Sequence, residues 1–161
     1  MSSKDGLELL KQGKVGEFNE WRMKNLTIKL EFAGEDLSGK NLSGAFLNGV
    51  VATNANLSKA NLSGANFVQA DLNGANLEGA TCIETLFMYA EMKNAKLAGA
   101  EATRANFMWA NLQAADMSGV RMSQTVFVEA NLSGANVTGA DRMAAYLKYA
   151  KLDGTPWTEK H

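Results

Sequence analysis

The residues that usually brace a small protein or carry its chemistry are nearly absent. Among 161 residues there is one cysteine, Cys82, one proline, Pro156, and one histidine, His161. A single cysteine excludes an intramolecular disulfide and gives no sign of a bridge-stapled secreted scaffold. The histidine is the last residue, a poor place for a catalytic or metal-binding group. No run approaches the roughly eighteen apolar residues of a membrane span, and Met1-Ser2-Ser3-Lys4-Asp5 leads into no apolar signal segment. Neither sign of charge dominates: 16 basic and 17 acidic residues leave −1. That removes the overall electrostatic case for binding nucleic acid or anionic lipid. With 46% apolar and 20% charged residues the composition is globular, and the expectation is a soluble, cytoplasmic chain.

What the sequence does have is rhythm. Phe67, Phe87, Phe107 and Phe127 stand twenty residues apart, with Leu47 and Leu147 one step beyond. Within each twenty lies a beat of five, as in Ala60-Asn61-Leu62-Ser63-Gly64 and Ala130-Asn131-Leu132-Ser133-Gly134. Four beats per twenty describe a chain winding as a square coil. The frame runs without insertion over residues 35–154, giving 24 pentads or six turns. At the spacing of neighbouring strands, six turns stack to about 30 Å.

Each pentad slot has a physical reading. Residues two apart in extended chain point to the same side. The central Leu, Phe or Met and the residue two before it, alanine in 18 of 24 pentads, therefore both face inward. One fills the interior and the other fits a crowded corner. The outward residue between them is often Asn or Asp, able to hydrogen-bond nearby backbone and hold a turn. The glycine that often ends the pentad suits a corner with positive φ. Thr85, Val120 and Thr125 depart from the alanine slot, and Arg142 from the centre, where an arginine must snorkel out near an open end.

Residues 1–34 follow other rules. Asp5 and Glu8 have capping-box spacing, which predicts a helix from Gly6 through Leu7, Leu9 and Leu10 to Gly13. A second helix carries Val15, Phe18, Trp21 and Arg22 on one side. Leu26, Ile28, Leu30 and Phe32 then alternate with polar residues as a strand would. The expected organisation is a helical cap with a first strand over 1–34, the coil over 35–154, and a tail over 155–161. A cap is needed because an open coil end exposes core and unpaired backbone. At the far end, Trp157 folds over the last turn or two towers meet there.

No catalytic, cofactor or metal constellation emerges. Cys82 sits in an inward slot and reads as a small buried hydrophobe. Asp71, Glu91 and Asp116 occupy outward turn slots and read as solvated turn-formers rather than an acid–base pair. The informative asymmetry is on the third side of the coil, centred on the phenylalanines. Its outward slots hold Phe46, Val68, Leu86, Met88, Tyr89, Met108, Trp109, Val126, Val128, Tyr146 and Tyr149. The other sides are mainly polar, with Ile83 and Met143 as exceptions. Such a wall either packs between turns or meets a partner, another protein or a second copy, because large bare apolar patches are rare on soluble monomers.

Residues 35–154 resemble the pentapeptide-repeat family, whose consensus is Ala-(Asp/Asn)-Leu-x-x. The resemblance implies an all-β solenoid, a right-handed quadrilateral β-helix of about six four-sided coils. Leu9-Leu10-Lys11-Gln12-Gly13 with Phe18-Asn19-Glu20-Trp21-Arg22 is similar to the helical leader before some bacterial repeat towers. The expected function is a non-enzymatic scaffold or interaction module using the apolar side, with no cofactor, no direct nucleic-acid binding and no membrane partner. The alternative implied by the resemblance is modulation of bacterial DNA gyrase, in which some members imitate a DNA duplex and protect against quinolones or toxins. That role asks for a strongly negative tower, whereas residues 35–154 carry 11 acidic and 9 basic residues and no loop insertion. An enzyme with a groove along one side is the third possibility, and a filled, flat-sided tower lacks the pocket it needs.

Overall fold

The structure, a computed structural model, describes residues 2–157. It opens with two helices, α1 (Ser3–Lys11) and α2 (Val15–Lys24). Helix α1 begins three residues before the Gly6 start read from the sequence. Asp5 is not the cap but the third helical residue, and its carboxylate accepts the backbone N–H of Ser2 in a capping box. The Ser2–Asp5 spacing repeats that of Asp5–Glu8, so local pattern alone cannot choose between them. The earlier start adds a turn and places Ser3 Oγ 2.8 Å from the Glu31 N–H, the first rung of the coil. Gly13, at φ +74°, ends α1. Its N–H donates to Leu10 O and the Lys14 N–H to Leu9 O, both at 2.9 Å, a Schellman closure.

The stretch after α2 also differs from the sequence expectation. Leu26 is 66% exposed and the chain turns at 26–28 instead of running extended. The buried guanidinium of Arg22 holds that turn, donating to the carbonyls of Asn25 (3.0 Å), Leu26 (3.4 Å) and Ile28 (2.8 Å). An arginine gathering carbonyls outweighs a short apolar alternation. Leu30 and Phe32 are buried in the core, and Ile28 packs partly buried against it.

From Glu31 the chain is a solenoid. Parallel bridges join each residue before a pentad centre to its counterpart twenty on, from Glu31–Val51 to Asn131–Lys151. Bridging thus starts one pentad ahead of residue 35. Each coil contributes four rungs. Centre N–H groups donate up the tower, as Phe87 to Asn106 O at 2.8 Å, and the preceding residue donates down it, as Asn106 to Thr85 O at 2.9 Å. Corners close by a further bond from the alanine slot, as Ala90 N–H to Phe87 O at 3.0 Å. Outward asparagines brace the next residue but one; Asn106 Oδ1 accepts the Met108 N–H at 3.0 Å.

Inside, the alanine and centre slots form one continuous core. Phe67, Phe87, Phe107 and Phe127 are at most 1% exposed and stack with centroids 5.4, 4.8 and 5.1 Å apart. The two threonines in alanine slots keep their hydroxyls satisfied: Thr85 Oγ1 donates to Leu62 O (2.8 Å) and Thr125 Oγ1 to Ala102 O (2.7 Å). The first coil is covered by the helices. Asn19 Nδ2 donates to Gly44 O and its Oδ1 accepts the Phe46 N–H, both at 2.9 Å, while Arg22 also reaches Asn48 O. In the last coil burial falls away. Arg142 is exposed and lies 5.5 Å from the centroid of Trp157, which packs partly buried on the core. His161 and the rest of 158–161 lie outside the described residues.

Candidate contact surface

The third side of the coil is built from three outward slots per turn: the residue before the centre, the one after it, and the corner. In the first column stand Phe46, Asn66, Leu86, Asn106, Val126 and Tyr146, joined rung to rung. Phe46 is 38% and Tyr146 56% exposed. Val68, Met88, Met108 and Val128 occupy the second column and are half-buried, because each leans on its neighbours in adjacent coils. The corner column holds Tyr89, Trp109 and Tyr149, exposed by 50%, 41% and 73%. Tyr89 and Trp109 stack on each other, centroids 4.7 Å apart and planes within 13°. Packing between coils accounts for the buried part of these side chains and leaves their outer faces in water.

The corner residues separate this side from the others. The corner residue sits at φ near +60° throughout the tower. On the first side five of six corners are glycine: Gly39, Gly79, Gly99, Gly119 and Gly139. On the third, only Gly49 is; the remaining corners are Gln69, Tyr89, Trp109, Glu129 and Tyr149, all at positive φ. A non-glycine residue held there costs about 1 kcal/mol or more relative to glycine. Three of those sites carry the bulkiest rings available. The column is present in the sequence once the frame is set, and the dihedral angles extend the positive φ of the glycine corners to it.

Charge is distributed in the same uneven way. The outward slots of the third side hold only Glu129 and Lys148, one of each sign, whereas every other side holds five charged residues. Elsewhere opposite charges pair between coils, as Arg104 with Glu84 at 3.0 Å and Arg121 with Glu101. The pairing neutralises the second side locally instead of leaving it acidic.

The residues considered for chemistry are engaged otherwise. Cys82 is fully buried, and burial pushes its thiol up to about 12, with Glu101 adding a smaller push. Asp71 and Asp116 accept the backbone N–H of Asn73 and Ser118 at 3.1 and 3.0 Å. Glu91 accepts from Asn111 in the next coil at 2.8 Å. Among the described residues no three His, Cys, Asp or Glu side chains gather as a metal ion would require. No helix among them is long and apolar enough to cross a membrane. A groove of about 330 Å³ lies beside α2, lined by Leu9, Glu17, Glu20, Trp21, Lys24 and Asn25.

Comparison with known proteins agrees with the repeat geometry. No curated protein matches. Among solved structures the chain is similar to a trypsin-treated variant of QnrB1, described as a plasmid-mediated fluoroquinolone resistance protein. That match has 25% identity and a TM-score of 0.61 over 79% of this chain. The chain spans 65% of the length of that structure. A second trypsin-treated QnrB1 variant matches at 19% identity and TM-score 0.65, over 80% of this chain and 76% of that one. A pentapeptide repeat protein of the Arabidopsis thaliana thylakoid lumen matches at 27% identity and TM-score 0.49, over 63% of this chain and 68% of that one. The family model for pentapeptide repeats matches eight copies, over residues 36–69, 65–101 and 105–141, well over half the length. This chain therefore belongs to the pentapeptide repeat family.

Proposed function

We propose that this protein is a non-enzymatic scaffold, a right-handed quadrilateral β-helix that uses its third side as a protein contact surface. One observation carries the reading. That side places large rings at corners where the backbone favours glycine, and neighbouring sides at the same turns do not. Non-glycine corners on every side carry a cost of about 1 kcal/mol, and only on this side are the side chains so placed large rings. The same side carries the fewest charges, as the centres of protein interfaces do, and Tyr, Trp and Met are the residue types enriched there. The test is a fourfold substitution of Met88, Tyr89, Met108 and Trp109 by serine. It should raise solubility and abolish self-association or capture of a partner. Unchanged mass, solubility and capture would remove the reading.

A second reading has one observation in its favour, the similarity to a fluoroquinolone resistance protein. In it the tower acts on bacterial DNA gyrase by imitating a duplex. Its charge pattern supports this less well, because the acids alternate with Lys93, Lys96, Arg104 and Arg121 and pair with two of them. A supercoiling assay decides it: protein in stoichiometric excess that leaves gyrase unaffected ends the proposal.

A further inference from the structure

The third side has a property that a general protein contact surface does not require: when its order is reversed coil by coil, four of the nine pairs brought together match in type, the two central pairs of the second and corner columns among them. Its second column runs Asn48, Val68, Met88, Met108, Val128, Lys148. Reversed, valine again falls on valine and methionine on methionine. The corner column runs Gly49, Gln69, Tyr89, Trp109, Glu129, Tyr149, so reversal sets ring on ring and Gln69 on Glu129. It also sets the most exposed ring of the wall, Tyr149, over the one glycine, Gly49. The outer column starts with Phe46 and ends with Tyr146.

A two-fold axis perpendicular to the tower performs this reversal. In an isologous contact, residue i meets j and j meets i, so every pair that the reversal brings together must be compatible. From this we infer that the occupant of the third side is a second copy of this chain, packed side by side and antiparallel, with the axis between the third and fourth coils. The inference rests on the contact-surface reading above and supplies its partner.

Charge selects the antiparallel arrangement. The two charged residues of the face, Glu129 and Lys148, meet Gln69 and Asn48, neutral amides that can donate to the one and accept from the other. No like charges touch. A two-fold parallel to the tower, running along the middle of the three columns, instead keeps every coil level with itself and sets Lys148 beside its own copy, a like-charge contact that disfavours association. At the centre of the antiparallel pair lie Met88 against Met108 and Tyr89 against Trp109, where interface anchors usually cluster. Two contacts in the outer column set an amide against an apolar group, Asn66 on Val126 and Leu86 on Asn106.

Size sets the strength. The face offers eighteen outward slots, fewer than the roughly 20–30 residues per side of a standard stable interface. The dimer is accordingly expected to be reversible, with monomer and dimer in exchange.

Two measurements on the full chain test it. Sedimentation equilibrium across micromolar to millimolar protein should show a monomer–dimer equilibrium, and Met108→Glu should shift its midpoint by more than about tenfold. Orientation is read by cross-linking Val68→Cys and Val128→Cys with a short bis-maleimide, Cys82 being buried and silent. In the antiparallel pair the two positions face each other, whereas identical positions lie three coils, about 14 Å, apart along the tower. A covalent dimer should therefore form only when the two variants are mixed. Each variant cross-linking to itself overturns the arrangement, as does a monomer at every concentration. A monomer whose capture of another protein is still lost in the fourfold serine variant removes the second copy and leaves the contact surface standing. Loss of both effects removes the two readings together.

Discussion

The rings of Phe87 and Phe107 lie 4.8 Å apart at an angle of 11°, buried completely. Two residues further along the chain Tyr89 and Trp109 repeat nearly the same contact in water. The inner stack displaces solvent on all sides, and the outer one on only part of its surface. The same ring–ring geometry therefore contributes unequally to the monomer.

Phe107→Ala removes a fully buried ring from the middle of the ladder and should lower stability by about 3–5 kcal/mol, read as a shift in urea midpoint. Ser63→Ala, on the outside of a polar side, should change it by no more than about 0.5 kcal/mol. Equal effects would mean that the ladder is not what holds the coils together.

Trp109→Gly tests the corner strain. It loses the stack with Tyr89, worth about 0.5–1.5 kcal/mol beyond area burial, together with the buried part of the indole surface, and relieves a positive φ costing about 1–2 kcal/mol. The relief offsets much of the loss, so the monomer should lose less stability than from the buried Phe107→Ala change. Gly99→Ala is the converse. An added Cβ meets nothing within 4 Å, so its loss of about 1 kcal/mol would come from the backbone at φ +66° alone.

Gly6→Ala sets helix propensity against packing. Alanine favours a helix interior by up to about 1 kcal/mol, yet a Cβ at Gly6 would come 2.6 Å from Cζ3 of Trp21. The indole is 6% exposed and packs on Phe18, centroids 5.8 Å apart, so overpacking of about 1–3 kcal/mol should win. Hydrogen exchange in α1 and α2 should accelerate while the middle coils stay protected.

Two groups predict opposite pH effects. Burial raises the Cys82 thiol from 9.0 to about 12. Its contribution to stability is complete below the unfolded value and lost as pH climbs through that window. Cys82→Ala should therefore flatten the alkaline side of a stability–pH curve, and native Cys82 should resist thiol reagents until urea exposes it. Asp116 is held below the usual carboxylate range, first by the Ser118 hydroxyl, then by the Ser118 backbone N–H, with Asn136 helping. Its contribution is present above the unfolded value and lost as acid protonates it. Asp116→Asn should shallow the acid limb.

The coil was legible because five- and twenty-residue periods leave a column of like residues at every slot, and Phe67 to Phe127 cannot all be inward in any other frame. The ends were less legible, for competition between neighbours. Ser2 and Asp5 both carry a helix-start signal, and the contact of Ser3 with Glu31, 28 residues away, favours the earlier one. Leu26 to Phe32 alternates like a strand, but the carbonyls gathered by Arg22 bend the chain. At the candidate contact surface the residue types were readable along the chain. The glycines that end many pentads already mark that slot as a positive-φ corner, and the structure extends it to Tyr89, Trp109 and Tyr149. The stacking of Tyr89 on Trp109 and how much of each ring stays exposed instead depend on packing that no pattern of apolar and polar letters encodes.

The side-chain amide of Asn19 presents one donor and one acceptor to the first coil: its Oδ1 accepts the Phe46 N–H as an alanine-slot carbonyl of an earlier coil would, and its Nδ2 holds the corner at Gly44 O. A helix can thus finish a parallel lattice without itself becoming a strand. Because each coil shows the next an almost identical array of donors and acceptors, that plug is indifferent to how many coils lie beyond it. Excising one whole turn of twenty residues from the interior should yield a shorter column with the same lid and an unbroken phenylalanine stack, whereas excising a number that is not a multiple of five should break the inward–outward frame.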